Sequence, residues 1–66
     1  MLFYYSKHAR EQMISRGISE QEIRKAIQSG TKELQEEKII AWYSYFAVVY
    51  KVIKKESYFI ITVKPR

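Results

Sequence analysis

Apolar residues fall every three or four positions as far as Gly30 and largely every second position beyond it, dividing the chain into a helical half and a strand-forming half. In the first half Ser6 reads as an N-cap, and Lys7 to Arg16 follow as a helix with Ala9, Met13 and Ile14 at helical spacing. Gly17 supplies a left-handed stop. Ser19 opens a second helix through a capping box, because Glu22, three residues on, can bond back to the amide of the cap. Ile18 and Ile23 flank that cap as a hydrophobic staple, while Ile23, Ala26 and Ile27 make the buried stripe and Gly30 closes the helix.

From Thr31 onwards β-branched and aromatic residues dominate, and no proline interrupts pairing before Pro65. The pattern predicts strands at about 32–36, 38–43, 46–53 and 58–64, with turns near Tyr43 to Tyr45 and at Lys54 to Ser57. Leu2 to Tyr5 is expected to be a short extra strand or an arm over the core. Alternation puts Phe59, Ile61 and Val63 on one face of the last strand and Tyr58, Ile60, Thr62 and Lys64 on the other. The strand before it is apolar on both sides, with Phe46, Val48, Tyr50 and Val52 set against Ala47, Val49, Lys51 and Ile53, which suits a central position. The expected class is α+β: two N-terminal helices on one face of a three- or four-stranded antiparallel sheet, in the order α-α-β-β-β-β, with the other face open.

The length, 66 residues, limits residues 1–66 to a single domain whose core must come from the 47% of apolar side chains, ten of all residues being aromatic. With no cysteine and one histidine, neither disulfides nor a structural zinc site is expected to hold the chain. No apolar run approaches the roughly 20 residues that span a bilayer, and no leader pattern opens the chain, so a soluble cytoplasmic protein without membrane contact is expected. Twelve Lys and Arg against seven Glu leave a net charge of +5, divided as +2 up to Gly30 and +3 after it. That balance suits a polyanion such as RNA and equally suits a lysine-solubilised surface.

Few side chains can carry chemistry. His8 alone titrates near neutrality, and on the first turn of a helix the positive dipole end favours its neutral, basic form; its alternative role is to cover the helix start. Arg16 lies two turns on, about 80° around the helix axis and roughly 12 Å along it, placed to grip a phosphate or to cap the helix end beside Gly17. Thr62, Lys64 and Tyr58 are expected on one strand face with Lys51 and Tyr50 nearby, where hydroxyls, ammonium groups and rings can hold RNA or simply pair across strands. No glycine-rich phosphate loop, HExxH or GxSxG occurs, and the strand neighbours Glu36 and Glu37 point to opposite faces, so ATP-dependent and metalloprotease chemistry drop out.

The run from Ser6 to Ile23, with His8-Ala9, then Met13-Ile14-Ser15-Arg16-Gly17-Ile18, then Glu20-Gln21-Glu22-Ile23, followed late in the chain by Tyr58-Phe59-Ile60-Ile61-Thr62-Val63, resembles a small prokaryotic domain family of unassigned function. That family is similar in turn to the RelE-like and colicin-type ribonuclease toxins, whose fold is two helices followed by a curved antiparallel sheet. The resemblance spans almost the whole chain and implies cleavage of RNA by attack of the ribose 2′-hydroxyl, with no metal and no other cofactor. By motif position it makes His8 the acid or base, Arg16 the phosphate clamp and Thr62 a hydrogen-bonding group. It implies RNA, free or ribosome-bound, as a partner; the open sheet face adds a separate expectation, a homodimer in place of a monomer or a docked antitoxin protein, since exposed aromatic strands find partners. The competing expectation is a non-catalytic RNA-binding or protein-interaction module built on the same basic, tyrosine-rich sheet.

Overall fold

The computed structural model describes residues 1–66. Its elements are β1 (Leu2–Tyr5), α1 (Lys7–Arg16), α2 (Glu20–Ser29), β2 (Thr31–Gln35), β3 (Lys38–Tyr43), β4 (Phe46–Lys54) and β5 (Ser57–Pro65). Ser6 caps α1 by accepting the Ala9 amide at 2.9 Å, and the same hydroxyl donates to the Ile61 carbonyl at 2.6 Å, so the cap also fastens the helix to β5. Ser19 and Glu22 close both bonds of the capping box. Gly17 adopts a left-handed φ of 67°, and the amides of Gly17 and Ile18 satisfy the last carbonyls of α1.

Gly30 ends α2 for a different reason from the left-handed stop at Gly17. Its φ is −72°, open to any residue, but a Cβ there would lie 2.5 Å from the Ala26 carbonyl oxygen and 2.7 Å from that of Trp42. Glycine is needed because the backbone of β3 passes directly over it.

The sheet has five strands in the order β1-β5-β4-β3-β2, and it is mixed. β2 to β5 form consecutive antiparallel hairpins, whereas Leu2–Tyr5 adds a strand parallel to β5, from Leu2 beside Ser57 to Tyr5 beside Ile60. This corrects the expected three- or four-stranded antiparallel sheet. The cause is the unpaired outer edge of β5, whose carbonyls at Glu56 and Ile60 receive the amides of Leu2 and Ser6. Each hairpin turns through one non-glycine residue of positive φ: Glu36 (59°), Ser44 (54°) and Glu56 (57°).

Both helices cover one face. Ala9, Met13, Ile18, Ile23, Ala26 and Ile27 pack there on Ala41, Phe46, Val48, Tyr50, Ile60 and Val63. The opposite face carries a smaller buried group of Ile40, Ala47 and Val49, flanked by half-buried Trp42 and Ile61. β4 thus buries both of its sides, as expected of a central strand.

In β5 the simple alternation fails. Thr62 stands opposite Val49 while Ile60 stands opposite Tyr50, so Ile61 is an extra residue that reverses the face pattern between the two halves of the strand. Val63 and Ile60 point to the helices, whereas Phe59, opposite Lys51, lies on the uncovered face, 36% exposed. The expected apolar row of Phe59, Ile61 and Val63 is therefore split, and Tyr58 does not share a face with Thr62 and Lys64.

Candidate functional site

Helical geometry builds the first part of the site. His8, Gln12 and Arg16 follow at intervals of four, each about 40° further round, so they form one polar stripe along α1. Arg16 Nε donates to Gln12 Oε1 at 3.0 Å, which leaves its terminal nitrogens free. The other flank of α1 faces α2, where Arg10 pairs with Glu20 at 2.9 Å and lies over the Tyr5 ring at 4.3 Å from its centre. The stripe therefore looks away from α2, on a helix that packs mainly on β5.

At the end of the stripe Ser15 and Arg16 enclose a cavity of about 290 Å³ with Ile18, Tyr45, Phe46 and Pro65. Next to Tyr45 and Pro65, two bonds tie the end of β5 to the β3–β4 turn, from the Arg66 amide to the Tyr45 carbonyl at 3.0 Å and from Arg66 Nη1 to the Ser44 carbonyl at 3.2 Å. Only two ion pairs occur, Met1 with Glu56 and Arg10 with Glu20, so neither Arg16 nor Arg66 has a carboxylate partner. Sequence reasoning missed Tyr45 and Ser15. A tyrosine in a glycine-free turn reads as generic, and only the closure of the last strand onto that turn gives it a role.

The predicted residues divide between two layers. His8 is exposed on the helix layer, with Arg16 further along the same stripe. Thr62 and Lys64 belong to the uncovered sheet face, Thr62 half-buried opposite Val49 and Lys64 with its ammonium 5.4 Å from the Trp42 ring centre. Trp42 in turn donates to Glu33 Oε1 at 3.1 Å. Lys51 is exposed on this face as well, opposite Phe59. His8 and Thr62 are neighbours through the backbone, since Ser6 is bonded to Ile61, yet their strand and helix present them on either side of the β5 edge. β1 pairs β5 only as far as Ile60, so no strand covers that edge beyond it.

Two expected RNA contacts need correction. Tyr50 is 4% exposed and packs edge-to-face on Tyr58 at 5.8 Å, inside the core beneath the helices. Tyr58 is half-buried there and also meets Phe3 at 5.6 Å. Neither ring is presented on the outer face of the sheet: Tyr50 follows Phe46 and Val48 in the regular alternation of β4, and the Ile61 bulge puts Tyr58 of β5 on the same side. Burial pushes the Tyr50 phenol above its ordinary pKa, and the neighbouring Tyr58 adds to the effect. Burial, followed by the nearby Glu20, raises that of Tyr5 against the opposing pull of Arg10 and Arg24.

Two helices on one face of a five-stranded mixed sheet, with unpaired arginines at one end, define a small basic α+β domain. Residues 5–64 match the family described as a domain of unknown function, DUF4258, and the chain belongs to that family. Its fold is similar to that of a chain in the crystal structure of the toxin-antitoxin complex RelBE2 from Mycobacterium tuberculosis, with a TM-score of 0.68 and 15% sequence identity over 98% of this chain and 96% of that one. No curated protein matches the sequence. The resemblance drawn from the sequence thus holds at the level of family and fold. No helix is long and apolar enough to cross a membrane.

Proposed function

We propose that this protein is a toxin-like endoribonuclease that cleaves RNA without a metal and is held in check by an antitoxin protein. The fold shared with a chain of a toxin-antitoxin complex supports the toxin-like role. The observation that carries the chemistry is Arg16, whose free guanidinium nitrogens border a cavity and form no ion pair, on the same helical stripe as the only imidazole. In this reading RNA lies along the outer side of β5. His8 takes the proton of the ribose 2′-hydroxyl, whose oxygen bonds to phosphorus while the bond to the 5′-oxygen breaks, leaving a 2′,3′-cyclic phosphate; the proton returns to the departing 5′-oxygen. Arg16 balances the charge that grows on the phosphate. Thr62, Lys64 and Lys51 contact the strand where it passes onto the open face.

The test is incubation with single-stranded RNA in excess EDTA. Cleavage by the wild type, reduced roughly 100-fold or more in His8→Ala and Arg16→Ala, is expected. Unchanged cleavage in His8→Ala removes the imidazole from the mechanism. A second reading, an RNA-binding module without catalysis, draws on the orientation of Thr62, which faces away from the helix that bears His8. It predicts binding without products, weakening by roughly 0.7 in log K per log salt for each single-strand phosphate contacted.

A further inference from the structure

We propose that the cavity at the end of α1 is a subsite for one unstacked nucleotide, its base against Tyr45 and its phosphate on Arg16; this rests on the ribonuclease reading and names the part of the substrate the cavity takes. The cavity is the only one in the molecule, and its 290 Å³ lies at the lower bound of the roughly 300–1,000 Å³ of small-molecule sites. Its floor is apolar and fixed, since Phe46 is 1% and Ile18 4% exposed. Tyr45 lines the cavity, stands edge-to-face on Phe46 at 5.3 Å and remains 55% exposed, so a phenol ring is available there to a ligand. Pro65 makes the other wall, and Ser15 adds a hydroxyl.

Charge selects the anion. Arg16 lines the cavity with its fork free, and Arg66 is tied to the Ser44 carbonyl beside it. Against these stand the partial negative charge of the α1 carboxyl end, about half a unit, and the Glu22 carboxylate 3.5 Å from the Tyr45 hydroxyl. Two guanidinium charges against one carboxylate and that half unit leave this end of the molecule positive by about half a charge. An aromatic wall beside a guanidinium fork matches a ring joined to a phosphate. A bare carboxylate side chain would leave the aromatic wall and most of the volume unused.

The experiment is titration of the labelled full chain with uridine 3′-monophosphate, uridine, and a pentauridine oligonucleotide, followed by amide resonances in NMR. The monophosphate is expected to shift Ser15, Arg16, Tyr45 and Phe46, and the nucleoside to bind more weakly by at least about tenfold. Arg16→Gln should abolish that difference, Arg16→Lys should restore only part of it, and Tyr45→Ala should weaken both mononucleosides alike. Tighter binding of the oligonucleotide than of the monophosphate at the same residues identifies a strand as the source; equal binding identifies the free nucleotide. Shifts confined to the open sheet face, or equal shifts with a glutamate-rich peptide, overturn the proposal. Because binding is read without turnover, nucleotide binding without cleavage fails the ribonuclease reading alone, whereas cleavage without shifts at the cavity fails the subsite alone.

Discussion

The Tyr5 hydroxyl is the one side-chain oxygen sealed from solvent without a hydrogen-bond partner. Its ring is well used, stacked beneath the Arg10 guanidinium and packed against the main core, so Tyr5→Phe removes only the orphaned group. An unsatisfied buried polar group costs about 1–3 kcal/mol. With the ring contacts kept, the variant should be more stable by about 1 kcal/mol, a rise in Tm of roughly 4–8 °C for a domain this small. The pH dependence gives a second readout. The phenol ionises above its ordinary 10.0 in the folded state, so the unfolded chain releases its proton first and the stability it contributes is complete below pH 10. That contribution is lost as pH rises through 10 toward the folded value, and Tyr5→Phe should flatten this decline. Urea unfolding by circular dichroism at pH 7 and across pH 9–11 measures both. A variant less stable at pH 7 would refute the reasoning by showing that the hydroxyl is partnered, and one with the wild-type alkaline slope by showing that folding does not shift its ionisation.

Other perturbations test separate parts of the fold. Gly30→Ala forces a methyl group onto two backbone carbonyls and should cost about 3 kcal/mol or prevent folding, read by urea midpoint or soluble yield. Ser19→Ala removes the capping box of α2 and should cost about 1 kcal/mol, with the loss of amide exchange protection concentrated at Glu20–Ile23. Glu36→Gly relieves a left-handed backbone at an exposed turn and should stabilise by about 0.5–1 kcal/mol in the same urea assay; a destabilised variant would mean that the positive φ carries no strain.

Local signals were readable along the chain. Ser6, Ser19 with Glu22, and Gly17 act through neighbours three or four residues away, and each does what its spacing predicts. The hairpins from β2 to β5 follow from the same short range, down to the turn at Lys54 to Ser57. Two features were not readable. The parallel pairing of β1 joins residues 55 apart, and no turn residue announces it. The bulge at Ile61 is hidden because Ile60, Ile61 and Val63 are interchangeable in pattern, so only packing against β4 decides which turns inward. The misplaced face of Tyr58 followed from that bulge, and that of Tyr50 from reading an aromatic side chain as a surface group although it alternates with Lys51 along β4. His8 and Arg16 were correctly set on one helix, whereas the cavity at Arg16 depends on the β3–β4 turn and the end of β5, which the sequence holds far from α1.

The parallel ribbon formed by β1 also sets an order of events at synthesis. Residues 2–5 are made before residues 57–60 yet find their strand partner only there, and the cap of α1 bonds to that same later segment. Until Ile60 and Ile61 are available, β1 has no strand to pair with and the Ser6 hydroxyl no carbonyl to hold. Docking of β1 and α1 therefore waits on β5, and a chain cut before Ser57 keeps only α2 and the β2-β3-β4 hairpins to pack on one another.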